Sequence, residues 1–350
     1  MLLQGDPVPS FTQCCNTDWK HYSFDMAAGR YIILLFCPSI QTETTQIALN
    51  NLASLKELRQ QARIEVFIVS ADRNDRDSCD LRKYEDTAFF LFDADLKVHN
   101  LFGVVSDQFM WVVVDPMLRV KKILPYNQNS FETVKHFILN SPPYQDGPIP
   151  ALLLDDVLEG EFCQTLINYF NQQSPISSGI LTQNAQGKTV TTASRSFKRR
   201  YDCILKEPGL VRNLQARIIR RVVPEIKKAF QCEVTGMDRM IVSCYDSADL
   251  GCFAPHRDNT VTGARHRLFA ISINLNNDFD GGDLFFPEFS ARGFCPPPGG
   301  AIIFSSALLH AVRPVTAGRR YACLPFVFNE ASITYAKEQD AKLSNHQDKG

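Results

Sequence analysis

The stretch "APHRDNT" at residues 254–260 places His256 and Asp258 two positions apart. An imidazole and a carboxylate so spaced can be two legs of a metal site, or a loop pair that merely hydrogen-bonds locally; alone the pattern is weak. A third candidate comes from "GGAIIFSSALLHAVRPVTAGRRYACLPFVF", which supplies His310 after a glycine turn and a continuous apolar strand. Two neutral imidazoles and one carboxylate are the ligand set of the facial triad that holds non-haem Fe(II) and leaves positions open for O2 and a co-substrate. Arg319 and Arg320 follow about ten residues after His310. A return strand rising about 3.3 Å per residue can carry one guanidinium deep between the sheets. There it can grip a carboxylate with two parallel hydrogen bonds. One of the two arginines can equally be a surface-turn residue.

These residues need strands to hold them. From residue 240 the chain reads as short strands and turns, "MIVSCY", "LFAISINLN", "GGDLFFPEF", "GGAIIFSS", "HAVRPV" and "RRYACLPFVF". That spacing predicts a double-sheet sandwich or jelly roll. Residues 157–230 read as helices. "GEFCQTLINYF" carries a stripe of Phe162, Leu166, Ile167 and Phe170, and 208–230 opens on a proline and carries Val211, Leu214, Ile218, Val222 and Ile226. The basic residues of 208–230 are read as a solvated helix face, not a nucleic-acid surface.

The first half has a different grammar. "YIILLF" (31–36) and "IEVFIVS" (64–70), the second interrupted by Glu65, are near-continuous apolar runs, as in strands buried on both faces. Between them, 44–62 has Ile47, Leu49, Leu52, Leu55 and Leu58 near helical spacing. "MWVVVDP" and "VKKILPY" follow as a hairpin. The proline-rich segment around 139–156 reads as a linker. The expected division is residues 1–143, a linker at 144–158, a second domain at 159–334 and a polar tail at 335–350.

The 350 residues are too many for one typical core and suit two domains. The formal net charge of −1 gives no bulk attraction to nucleic acid or anionic membrane. The 11 cysteines are odd in number and form no C-x-x-C, which points to reduced thiols and a cytoplasmic protein. The start, "MLLQGDPVPSF", has no secretory n-region or h-region, and "YIILLF" is too short to span a bilayer.

Residues about 236–330 resemble the prolyl 4-hydroxylase group of the 2-oxoglutarate/Fe(II)-dependent dioxygenases. The resemblance is carried by "IVSCYDSADLGCFAPHRDN", "RLFAISINLNNDFDGGDLFFPE" and "PPGGAIIFSSALLHAVRPVTAGRRYACLPF". It implies iron on His256, Asp258 and His310, the distal carboxylate of 2-oxoglutarate on Arg320, Tyr245 lining the co-substrate pocket and Asn274 contacting 2-oxoglutarate. Arg320 is preferred to Arg319 because it directly precedes Tyr321. Gly281, Gly282, Pro287 and Glu288 match the family's "GG…FPE", read as a tight turn and strand end. The implied reaction hydroxylates a substrate, favoured to be a prolyl residue of a peptide or protein, and yields succinate and CO2. Ascorbate is the expected reductant. A free amino acid or other small molecule is the alternative substrate.

Residues 4–140 resemble the peroxiredoxin branch of the thioredoxin fold at "GDPVPSF", "CPSIQTETT" and "VVVDPMLRV". That family carries Pro-x-x-x-Thr-x-x-Cys, with its thiolate activated by a helix N-terminus and an arginine. Pro38 and Thr42 match, but Thr45 stands at the cysteine position and Phe109 at the arginine position. A hydroxyl cannot replace a thiolate attacking peroxide, so no peroxidase activity is expected. Cys37 is read as strand-end packing. This half is expected instead to recruit a protein partner or to dimerise. A redox-linked thiol protein with a regulatory iron domain is the rival class, and Thr45 speaks against it.

Overall fold

The computed structural model describes residues 1–16, 21–78, 81–142, 147–183, 189–192 and 194–347. Cys79, residues 143–146 around the start of the expected linker and residues 348–350 of the tail lie outside them. The chain divides into two compact units, Met1–Pro148 with Pro287–Ala291, and Ile149–Phe286 with Arg292–Gly350.

In the first unit, "YIILLFC" forms the strand Tyr31–Cys37, and every residue from Ile32 to Cys37 is buried. Such a strand shows no alternation because both its faces are covered. It pairs in parallel with Ile64–Ser70 and antiparallel with Met110–Val114, at the centre of a seven-stranded sheet. Phe89–Phe92 extends the parallel side, and Val120–Pro125 completes the hairpin. Helices Glu43–Leu52 and Ser130–Asn140 contribute Ala48, Leu49, Leu52, Phe131, Val134 and Ile138 to one core cluster with the sheet. Phe36 packs on Phe102, ring centroids 5.2 Å apart. This is a thioredoxin-like, peroxiredoxin-type α/β fold. The expected helix over 44–62 is broken into Glu43–Leu52, a 3-10 turn at Ala53–Leu55 and Lys56–Gln60. Ile47 is exposed; the buried stripe is Thr45, Ala48, Leu49 and Leu52, which share one face at helical spacing.

The second unit is built on two antiparallel sheets, a jelly-roll arrangement. The five-stranded sheet runs Lys198–Arg199, Cys252–His256, His310–Val312, Leu284–Phe285, Gly293–Phe294. The ten-stranded sheet has Phe269–Asn274, Val315–Cys323 and Ile241–Asp246 at its middle. Its strands obey a period of two. Ile271, Ile273, Cys244, Tyr321 and Cys323 join the helix-covered core, while Tyr245, Ser272 and Arg320 line the internal cavity.

That core is closed by helices Gly160–Gln172, Pro208–Arg221 and Val223–Phe230. Leu214, Ile218, Val222 and Ile226 recur every fourth residue and are fully buried. The single helix expected over 208–230 is two helices, because Pro224 has no N–H for the ladder and sits in the first turn of the second. Ala151–Leu154, inside the segment read as linker, is a strand paired with Ala301–Ser305. The segment read as a tail begins inside the helix Glu330–Gln347. Among the described residues no helix is long and apolar enough to cross a membrane.

Candidate metal centre and co-substrate pocket

His256 ends the strand Cys252–His256, His310 begins His310–Val312, and the two strands pair with these histidines directly opposite each other. Their rings lie 4.2 Å apart, centroid to centroid. Asp258 stands just past the strand end, its backbone N–H donating to the Ser306 carbonyl at 2.9 Å. Its two carboxylate oxygens lie 3.6 Å from His256 Nε2 and 3.2 Å from His310 Nε2. One donor atom from each of the three residues falls within 4.8 Å of the others.

The imidazoles are oriented from behind. His256 Nδ1 is 2.8 Å from the Ala254 carbonyl and His310 Nδ1 is 3.0 Å from that of Leu308. A carbonyl only accepts, so each Nδ1 carries the proton and each Nε2 presents a lone pair to the cluster. Burial, and then the neighbouring His310, push the His256 imidazolium down to about 4, so this ring is neutral near pH 7. Two imidazole lone pairs and a carboxylate thus face one another, an arrangement that calls for a cation. Two nitrogens and a hard oxygen suit Fe(II). Phe253 stacks on His256 at 3.5 Å and Phe304 meets His310 edge-on at 4.6 Å, which fixes both rings.

Arg320 lies in the same cavity and is 2% exposed. Its Nε and Nη2 donate to Asn274 Oδ1 at 3.0 and 2.9 Å, and Nη2 also reaches Ser272 Oγ at 3.2 Å. Its Nη1 is buried and has no partner among the described residues. A buried guanidinium N–H without an acceptor is costly, and a ligand carboxylate would satisfy it. Arg319, one residue away, is outside this cavity: its side chain is 60% exposed and pairs with Asp246 at 2.7 Å. Tyr245 lines the cavity, with its ring 5.3 Å from the Arg320 guanidinium carbon. Asn274 does not line it; the amide is spent on Arg320 and on the Pro296 carbonyl at 2.8 Å. Gly282 makes room for the arginine. Its φ is 67°, and a Cβ there would stand 2.7 Å from Val315 Cγ2 and 3.3 Å from Arg320 Cδ.

The sequence reading did not single out Lys198, Arg200, Asp202 or Arg239. Arg200 and Arg239 line the cavity. Arg200 is 4% exposed and is paired with Asp202. Lys198, Arg200 and Asp202 recur at every second residue of "KRRYD", and that period of two in charged residues was the signal available. His266 stays away from the cluster, 3.7 Å from Asp238, and Cys244 packs in the helix-covered core.

In the first unit, Thr45 is fully buried. Its hydroxyl donates to the Ser39 carbonyl at 2.8 Å and shares a 2.8 Å contact with the Thr42 hydroxyl. Burial pushes the Cys37 thiol up to about 12, the opposite of an activated thiolate.

Residues 4–135 match the AhpC/TSA family. Two curated relatives, PKHD-type hydroxylases from Synechococcus sp. strains JA-2-3B'a(2-13) and JA-3-3Ab, are each 30% identical over 95 residues, 25% of this chain and 42% of theirs. The match therefore spans less than half the length of these relatives. A prolyl hydroxylase from Trichoplax adhaerens, solved with a hypoxia inducible factor peptide fragment, aligns with a TM-score of 0.42 and 18% identity over 52% of this chain and 85% of its own. Peroxidoxin BcpB from Mycobacterium tuberculosis aligns with a TM-score of 0.35 and 16% identity over 40% of this chain and 97% of its own. Residues 4–135 are thus similar to the AhpC/TSA family, and a 95-residue stretch of the chain is similar to PKHD-type hydroxylases.

Proposed function

We propose that this protein is a 2-oxoglutarate- and Fe(II)-dependent dioxygenase that hydroxylates its substrate. The reading is carried by the convergence of His256, Asp258 and His310 in the cavity where Arg320 holds an unanswered N–H. His256 Nε2, His310 Nε2 and Asp258 would hold the iron, and Arg320 would take the far carboxylate of 2-oxoglutarate. Bound together, iron, 2-oxoglutarate and O2 supply the oxidation that yields succinate, CO2 and a hydroxylated product. The protein's own work is positional. The Ala254 and Leu308 carbonyls keep both imidazoles in the metal-binding tautomer, and Asn274 and Ser272 aim the guanidinium. Phe253 and Phe304 wall the cluster from water. Tyr245 shapes the pocket beside Arg320.

A prolyl residue of a peptide or protein is the substrate this reading favours, on the sequence resemblance to the prolyl 4-hydroxylase group; a free amino acid or other small molecule is the alternative. Ascorbate is the proposed reductant. Cytoplasmic residence belongs to the same proposal, and the ten described cysteines are all free thiols. The peroxiredoxin-like region is proposed as a partner-docking or dimerising module, since the buried Thr45 offers no thiolate. The test is anaerobic addition of Fe(II) and 2-oxoglutarate, which should give a weak visible charge-transfer band, followed by succinate on admitting air. A His310→Ala protein with full turnover would refute the assignment.

A further inference from the structure

Three guanidiniums line the cavity, and the proposed co-substrate accounts for one. Arg200 donates from Nη2 to Asp202 Oδ2 at 2.9 Å and from Nη1 to the Tyr245 hydroxyl at 3.3 Å. Arg239 Nη2 donates to the same Asp202 oxygen at 3.0 Å. Its side chain is 29% exposed, and Asp202 is its one ion pair among the described residues. Asp202 also accepts from Ser178 at 2.6 Å and Ser243 at 2.7 Å, so its capacity is used. One carboxylate therefore stands against two guanidiniums. The nearby Asp238 is engaged by Arg267 at 3.1 Å, and Asp258 belongs to the metal cluster. Among the described residues, Arg200 and Arg239 thus share a single carboxylate, one positive charge more than it balances.

The backbone makes the same point independently. Arg239 has a φ of 63°, in the left-handed region that a long, Cβ-bearing side chain rarely adopts. Strain of this kind persists where the surrounding structure over-determines it, and it gathers at ligand sites. Here it accompanies a guanidinium at the cavity wall, 5.9 Å from the centre of the Phe326 ring.

We propose that the substrate presents a carboxylate to this cavity and that Arg239, backed by Arg200, receives it. This deepens the oxygenase reading and rests on it. Arg320 and Arg239 then divide the work: the first serves the co-substrate and the second selects acidic substrates over neutral ones of the same shape.

The test is isothermal titration of the full-length protein loaded anaerobically with Fe(II) and 2-oxoglutarate. The paired probes are N-acetyl-L-proline and N-acetyl-L-prolinamide. A third probe, N-acetyl-L-aspartyl-L-prolinamide, offers its carboxylate from a side chain and so separates a peptide source from a free acid. At least one acid probe should bind about 10- to 100-fold more tightly than the neutral amide, the worth of a charge-assisted hydrogen bond. Arg239→Gln should remove the preference while leaving affinity for the amide unchanged. Arg239→Gly, which suits the left-handed backbone, should do the same and covers the case in which the glutamine variant misfolds. Equal binding of the acid probes and the amide, or binding of none of them, overturns the proposal. So does an Arg239 variant that weakens 2-oxoglutarate as much as Arg320→Met. Titration of 2-oxoglutarate itself separates the two failures: if it does not bind, the oxygenase reading falls too; if it binds and the probes do not discriminate, only the carboxylate inference falls.

Discussion

Replacing Arg320 with methionine keeps most of the side chain's length and removes its charge. In the structure Nε and Nη2 of this arginine hold Asn274 and Ser272, and Nη1 has no acceptor among the described residues. A hydrogen bond to an ionised group contributes about 1.5–3 kcal/mol, so losing one to the 2-oxoglutarate carboxylate weakens binding about 10- to 150-fold. Stability should change far less. The variant strands Asn274 Oδ1, costing about 1–3 kcal/mol, but it also removes a buried cation whose desolvation opposed folding. The assay is anaerobic titration of 2-oxoglutarate into Fe(II)-loaded protein, with Fe(II) affinity measured separately. The expected outcome is a large loss of 2-oxoglutarate affinity with iron binding retained, and an intermediate loss for Arg320→Lys, which keeps the charge but not the fork. Unchanged affinity in Arg320→Met, or an equal loss in Arg319→Met, refutes the reasoning, because Arg319 is exposed and paired with Asp246 outside the cavity.

Other perturbations test other links. His310→Ala should abolish Fe(II) binding and succinate formation together, read by metal titration and product assay. Thr45→Cys should yield no peroxidase activity in a peroxide-consumption assay, because the new thiol would be fully buried with Phe109, not an arginine, at the activating position. Burial, then the neighbouring Arg200, push the Lys198 ammonium down to about 6, although Nζ keeps a 2.9 Å bond to the Gly179 carbonyl. The unfolded chain binds this proton more tightly than the fold does, so the group's contribution to stability rises with pH from about 6 to about 10.4. Thermal melts of Lys198→Met against the parent should show the variant's relative gain larger at pH 6 than at pH 9; a gain that does not vary with pH would refute the shift. Ile218→Ala, at a fully buried position of the helix-covered core, should cost about 2–5 kcal/mol in denaturant unfolding.

Much of this molecule could be read one residue at a time. Near-continuous apolar runs such as Ile64–Ser70, interrupted by Glu65 and closed by Ser70, announced strands covered on both faces, and the strand begins and ends with the run. The triad was legible because imidazole and carboxylate are scarce ligand chemistry set in a strand-and-turn grammar, and because His310 follows a buried strand. Helix ends were less legible: Pro224 divides 208–230, and the burial of one helix face left Ile47 outside. Ala151–Leu154 looked like linker because a four-residue strand has no pattern of its own until Ala301–Ser305 pairs with it.

By itself the sequence determined which chemistry was available: two imidazoles and a carboxylate at residues 256, 258 and 310, a neighbouring basic pair, and a redoxin-like half with Thr45 at the cysteine position. The resemblance alone had favoured Arg320 over Arg319; the physical reason came from the tertiary structure, in which adjacent residues of a strand point to opposite faces and the pairing register turns Arg320 inward. The tertiary structure also brought Arg200 and Arg239 to the cavity from separate stretches of chain and left them one carboxylate to share. Charge balance at a site is a sum over space, and no linear order of residues contains it.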